Sequence, residues 1–250
     1  MAGVLVPPEL LDPVVAYFSP RRVILFGSCA RGEAGPDSDI DLLVIVGDDT
    51  PAEKVTLKAG SEARRDYHRP ADVIPIREDM FRRMSAIPGT LSREALIDGI
   101  TVYGEELAGT SNPDPADMRN AGLGWVKIAY SDLQVARACL GLEPPQAGVA
   151  AYHCQQAGEK LLKGFLVLAG INVRRTHEMA ALGAAVLAQF PELASLVTPM
   201  VSWTDWGVAY RYPDGAEMMD APSSEELGQA LGLVSRLVSA LEARIPPAIG

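Results

Sequence analysis

The chain reads as two units of different class: a mixed α/β sheet with covering helices over residues 1–107, and an all-α four-helix bundle over 118–250. Three observations carry that reading. Short apolar runs, Val23 to Phe26 and Leu42 to Val46 among them, are bounded by Gly, Pro and Asp as buried strands are, and they alternate with helical stretches. Residues 108–117 have the Gly, Pro, Ser and Asn content of a linker. Beyond them the strand signals stop, and apolar residues recur at helical spacing in four stretches with shortish connections.

Taken in order, Pro8 to Phe18 predicts a short amphipathic helix that turns Leu10, Leu11, Val14, Val15 and Phe18 to one side, where it covers the sheet. Val23 to Phe26 predicts a strand. Gly27-Ser28 ends it and opens a tight turn into Ala30-Arg31-Gly32. Asp39-Ile40-Asp41 leads into the second strand. Thr50 to Tyr67 predicts a helix, with Thr50 as N-cap and Glu53 three residues on, a capping-box pattern. A third strand carries Asp72, within Arg69 to Ile76. Two short helices, Glu78 to Met84 and Thr90 to Ile97, flank Pro88-Gly89, and Ile100 to Tyr103 makes a last strand. In the second unit, helices are predicted over 118–140, 148–169, 179–190 and 224–243. The 191–222 connection is long enough to expect structure or function of its own.

Composition bounds the function. At 250 residues and 48% apolar content the chain has ample material for a buried core. A formal charge of −10 argues against a non-specific nucleic-acid binder, whose affinity comes largely from neutralising phosphates, and is compatible with a metal-bound nucleotide. Cys29, Cys139 and Cys154 show neither a disulfide framework nor zinc spacing, which points to a reducing cytoplasm. The N-terminus lacks the basic start and apolar core of a signal peptide, and no apolar run is long enough for a bilayer, so no membrane partner is expected.

The chemistry sits between Arg22 and Val46. Alternate side chains of a strand share a face, so Asp39 and Asp41 project together while Ile40 points away. Two carboxylates side by side repel unless a cation lies between them. An all-oxygen ligand set at a sheet edge suits Mg²⁺. The Gly27-Ser28 turn offers backbone N–H groups and a hydroxyl at a helix start, which favours a phosphate. Arg31, in the same turn, is a candidate for the β- or γ-phosphate. Cys29 has no histidine or other base near it in sequence and is not read as a nucleophile.

Gly27-Ser28, ten residues, then Asp39-x-Asp41, set on strands, resembles the signature of the minimal nucleotidyltransferases, relatives of DNA polymerase β and kanamycin nucleotidyltransferase. The resemblance implies a third carboxylate on a later strand, and Asp72 stands at the head of such a run. It implies catalytic and metal-binding roles for Asp39, Asp41 and Asp72 around two ions, Mg²⁺ or Mn²⁺, and a grip by Gly27 and Ser28 on the β,γ-phosphates. The expected reaction moves a nucleoside monophosphate, AMP from ATP in the first instance, to a hydroxyl of a small molecule or protein, releasing pyrophosphate.

A second stretch, Ala151-Tyr-His-Cys-Gln-Gln-Ala-Gly-Glu-Lys-Leu-Leu-Lys-Gly-Phe-Leu, followed by Gly170 to Leu182, resembles the HEPN domain, a four-helix bundle found beside minimal nucleotidyltransferases as a toxin–antitoxin partner or fused to them. The resemblance implies acceptor contacts or a homodimer interface in this unit. Many such domains are ribonucleases that use an Arg, four to six residues, then a His. His177 is the candidate here, but Ile171 and Asn172 occupy the positions six and five before it, Arg174 and Arg175 are too close, and Arg137 is far upstream. His177 is therefore expected to cap or pack the start of the third helix, or to touch a ligand. His153 reads as a hydrogen-bonded structural histidine, and Trp125, Trp203 and Trp206 as anchors of core or interface. Two alternatives stand beside the transferase: a toxin–antitoxin-like module whose helical half is a ribonuclease or its relic, and a non-catalytic nucleotide-binding scaffold.

Overall fold

The computed structural model describes residues 6–35, 38–105, 113–172, 176–210 and 220–247. Arg174, Arg175, the first half of the predicted linker and the Arg211-Tyr212-Pro213 end of the aromatic segment lie outside them. The chain divides into two compact units, Met1–Asp114 and Pro115–Gly250.

The first unit is a mixed four-stranded sheet covered by helices. Its strands are β1 (Arg22–Phe26), β2 (Ile40–Val46), β3 (Ala71–Arg77) and β4 (Ile100–Gly104), in the order β3-β2-β1-β4. β1 is antiparallel to β2 and to β4, and β2 is parallel to β3. β1 is buried along its whole length, as its unbroken apolar run requires of a strand covered on both faces. On one face Leu42, Val44 and Val46 pack with α1 (Pro8–Phe18) and α3 (Leu57–Ala63) through Leu10, Val14, Phe18, Ala59 and Ala63. On the other face Leu43 and Ile45 pack with α4 (Glu78–Ser85) and α5 (Leu91–Asp98) through Phe81 and Ala95. Between β1 and β2 lies α2 (Gly27–Arg31).

One helix start differs from the expectation. The segment after β2 first makes a single 3₁₀ turn, Ala52–Lys54, and the α-helix begins only at Leu57. Thr56, not Thr50, is its N-cap, accepting a hydrogen bond from the Ala59 amide at 3.1 Å. Thr50 instead lends its backbone carbonyl to Arg77, whose Nη2 donates at 2.6 Å. Thr50 had the capping-box Glu53 three residues on, whereas Thr56 has Ala59 there, so the local pattern pointed to the wrong threonine.

The second unit is all helical. Its long elements are α6 (Pro115–Leu140), α7 (Ala147–Leu168), α8 (Met179–Gln189) and α11 (Ser224–Glu242). Among its described residues, the connection before α11 carries two short helices, α9 (Ala194–Val197) and α10 (Trp206–Ala209), with 3₁₀ turns at Pro191–Leu193 and Thr198–Asp205. α7 is the central element. Its Ala150, Ala151, Ala157, Leu161, Leu162 and Phe165 are fully buried against α6, α8 and α11. α11 opens with a complete capping box: Ser223 accepts from the Glu226 amide while the Glu226 carboxylate accepts from the Ser223 amide. Trp203 is buried in this core and stacks on Trp206 with ring centroids 5.2 Å apart, so that aromatic pair folds onto the bundle.

Candidate functional site

The parallel pairing of β2 with β3 sets Asp41 directly opposite Asp72. Residues in register on adjacent strands point to the same face. For Asp41 that face is shared with Leu43 and Ile45, and for Asp72 with Ile74 and Ile76, all of which pack on the α4/α5 side. Asp39, two residues before Asp41, lies just ahead of β2 and is exposed. The ladder therefore brings Asp41 and Asp72 to one end and one layer of the sheet, while Asp39 stands ahead of the first residue of β2. Asp72 is exposed and Asp41 half-buried. Among the described residues no three His, Cys, Asp or Glu side chains are gathered into a group that holds a metal as they stand.

The turn that follows β1 faces these acids. Phe26, the last residue of β1, pairs with Asp41. Gly27 then takes a φ of +76°, in the left-handed region. A Cβ at Gly27 would stand 2.0 Å from Asp41 Oδ2. Glycine is thus required twice at one position, for the backbone turn and for the approach of the carboxylate. Ser28, half-buried, is the second residue of α2, at the end where backbone amides have no partner within a helix. The Cys29 thiol donates to the Asp39 carbonyl at 3.2 Å, closing the ten-residue excursion between turn and acids. Arg31, expected at a phosphate, donates through Nε to Glu33 Oε2 at 2.7 Å.

The sheet's other layer has a different character. A cavity of about 340 Å³ there is lined by Tyr17, Glu62, Arg65 and Tyr67 among others. It lies on the α1/α3 side, the layer away from the acids.

The helical unit holds two polar clusters on α7. Asp132 of α6, buried, meets His153 Nδ1 at 2.9 Å and also pairs with Lys160. This gives His153 the hydrogen-bonded structural role read for it. Glu159, also buried, accepts from Gln155 Nε2 at 3.0 Å and from Lys163 Nζ at 2.8 Å, and lies 3.0 Å from His177 Nδ1. Burial pushes the Glu159 carboxyl up, but the Lys163 hydrogen bond and charge, the Gln155 hydrogen bond and His177 outweigh it and hold it below the usual range. Glu178, not His177, is the cap residue of α8, and the exposed His177 ring pairs back onto α7. Arg137 Nη2 donates to Ser235 of α11 at 2.9 Å. Gln155, Glu159 and Lys163 were missed as a network in the sequence; their i, i+4 spacing on an otherwise apolar helix is the signal that marks them. Cys154 is inert in comparison, its thiol pushed up to about 12 by burial.

Comparison with known proteins gives three findings. Residues 8–95 match the family model of the nucleotidyltransferase domain, and residues 123–244 match that of the HEPN domain. The crystal structure of TT1696 from Thermus thermophilus is similar at 27% identity, covering 50% of this chain and 98% of its own, with a TM-score of 0.39. No curated protein matches the chain. No helix among the described residues is long and apolar enough to cross a membrane.

Proposed function

We infer, from a chain that is a nucleotidyltransferase domain joined to a HEPN domain, that its first unit moves a nucleoside monophosphate from a nucleoside triphosphate to a hydroxyl acceptor and releases pyrophosphate. ATP is the donor proposed, and a small molecule or protein side chain the acceptor. The observation that supports this most is the Asp41–Asp72 register, which sets two carboxylates side by side beside the Gly27 turn.

Asp39, Asp41 and Asp72 would hold divalent cations. The donor set is all carboxylate, with no imidazole or thiolate, which fits Mg²⁺ or Mn²⁺. Two such ions, when bound, would neutralise charge on the attacking and leaving oxygens of an in-line displacement. The chain's own groups do the rest. The amides that open α2 and the Ser28 hydroxyl bind phosphate oxygens and orient the triphosphate. Gly27 lets that phosphate turn lie against Asp41 with no side chain between them. The exposed Asp39 side chain has the rotamer freedom to join Asp41 on a common cation. The reaction breaks the bond between the α-phosphorus and the pyrophosphate oxygen as the acceptor oxygen bonds to phosphorus, and the acceptor hydroxyl's proton passes through the Asp72 carboxylate to water.

The test is transfer of label from each α-labelled nucleoside triphosphate, with Mg²⁺ or Mn²⁺, to separate pools of aminoglycoside-like small molecules and proteins. Wild type is expected to label one pool and release pyrophosphate. Asp41→Asn and Asp72→Asn are expected to lose transfer while keeping the wild-type circular dichroism spectrum. Transfer at the wild-type rate by either variant would overturn the assignment.

For the helical unit, His177 pairs with Glu159 of α7, and Ile171 and Asn172 stand at the positions six and five before it where a ribonuclease motif has its arginine. We therefore propose an acceptor-binding or assembly role for it rather than RNA cleavage.

A further inference from the structure

The cavity of about 340 Å³ on the α1/α3 side has no part in the reaction just proposed, since it lies in the layer away from Asp41 and Asp72. Its volume is at the small end of the roughly 300–1,000 Å³ usual for small-molecule sites. Tyr67 lines it. That residue is 8% exposed, and its hydroxyl is buried with no hydrogen-bond partner among the described residues. A buried hydroxyl left unpaired costs free energy, and such an atom calls for a partner from outside the chain. The Tyr67 ring is otherwise packed in the α1/α3 core, so that partner reaches it from the cavity. Tyr17 supplies an apolar wall. Its hydroxyl donates to Glu62 Oε2 at 3.0 Å, its ring meets Phe18 edge-on at 4.8 Å between centroids, and Lys54 Nζ stands 5.0 Å from its centroid, so the wall is formed in advance. The lining also carries charges of both signs, Arg64 and Arg65 with Glu9 and Asp66. Among the described residues none of these four side chains is in an ion pair or hydrogen bond, so opposite charges border one cavity without satisfying each other.

We propose that this cavity binds a small zwitterion, an ammonium and a carboxylate on one body, as a free α-amino acid carries them. The carboxylate pairs with the guanidinium groups of Arg64 and Arg65 and accepts from the Tyr67 hydroxyl. The ammonium pairs with Glu9 and Asp66, and the rest of the ligand lies on the Tyr17 ring. An anion alone would leave the two carboxylates to repel it, and a cation alone the two guanidinium groups; only a ligand with both charges answers both pairs. The site needs neither metal nor nucleotide and stands apart from the transferase reading above.

The experiment is calorimetric titration and thermal melting of the full chain, free of metal and nucleotide, against the proteinogenic L-amino acids one at a time. At least one is expected to bind and to raise the melting midpoint. Its N-acetyl derivative, which lacks the ammonium, and its amide, which lacks the carboxylate, are each expected to bind roughly two- to fivefold more weakly, the size of an exposed charge pair. Arg65→Gln and Asp66→Asn, both exposed, are expected to weaken binding by a similar factor. Tyr67→Phe is expected to bind roughly three- to tenfold more weakly, the size of one hydrogen bond. Without ligand it is expected to melt no lower than wild type, because it deletes an unpaired hydroxyl. A Tyr67→Phe variant that melts lower by itself shows that the hydroxyl has a partner within the chain and overturns the proposal. So does a wild-type affinity in Tyr67→Phe, undiminished binding of either derivative, or the failure of every amino acid to bind.

Discussion

Replacing Gly27 by alanine tests the geometry of the site at its tightest point. Two terms act. An L-residue in the left-handed region costs about 1–2 kcal/mol, and Gly27 sits there at φ +76°. The added Cβ would also stand 2.0 Å from Asp41 Oδ2 and 3.1 Å from its Cγ, well inside contact. The carboxylate can swing aside, which limits the stability loss to roughly 0.5–1.5 kcal/mol of rotamer strain on top of the backbone term. The total is about 1.5–3.5 kcal/mol, and in a unit of this size each kcal/mol lowers the melting midpoint by roughly 4–8 °C. The activity loss is larger, because the displaced group is the acid itself: a shift of about 1 Å in a reacting group can cost a hundredfold. Gly32→Ala is the matched control. It shares the left-handed backbone, at φ +72°, but a Cβ there meets nothing within 4 Å. It is expected to lose only the backbone term and to transfer label near the wild-type rate. Thermal melts and initial transfer rates on both variants decide the matter. If Gly27→Ala melts and turns over like Gly32→Ala, the contact with Asp41 does not matter and the site is misdrawn.

The remaining predictions concern helix starts and acid stability. Thr56→Ala should lower stability by about 1 kcal/mol through loss of the α3 cap, while Thr50→Ala, whose structural contact is through the backbone, should be close to neutral; urea titrations distinguish them. In the helical unit, the folded state holds Glu159 ionised to a lower pH than the unfolded chain, whose value is near 4.5. Its contribution is present above that pH and is lost as the pH falls through the depressed folded value. Unfolding followed by circular dichroism should show wild type losing stability on acidification below 4.5, with Glu159→Gln losing less over the same window. At neutral pH Glu159→Gln should be less stable than wild type by roughly 3–5 kcal/mol, since Lys163 is left largely buried beside an amide. Equal stability at neutral pH would show that the Glu159 cluster is not what joins α7 to the segment before α8.

Element by element, the legible part of the structure was what neighbours in sequence decide. The strands around Gly27-Ser28 and the second strand after Asp39 were visible because burial on both faces writes continuous apolar runs. The expectation that Asp39 and Asp41 share a face rests on a two-residue period, and β2 begins at Ile40, so the strand itself carries Asp41 alone. The four long helices were legible from apolar spacing alone, and the capping box at Ser223 was there to be read as Ser-x-x-Glu.

What the tertiary structure alone decided involves residues far apart in the chain. That β3 lies parallel to β2, with Asp72 opposite Asp41, is a matter of register between segments separated by the whole of α3, and register is chosen by which faces both strands can bury. A single-residue slip would have turned Asp72 to the α1/α3 layer. The Arg77 guanidinium's bond to the Thr50 carbonyl is also a contact between distant positions that no local pattern contains. Asp132 with His153 and Lys160, and Glu159 with His177, are likewise pairings across helices. Short-range periodicity is written in every window of the sequence; the partner of a buried charge is written only in the packing that buries it.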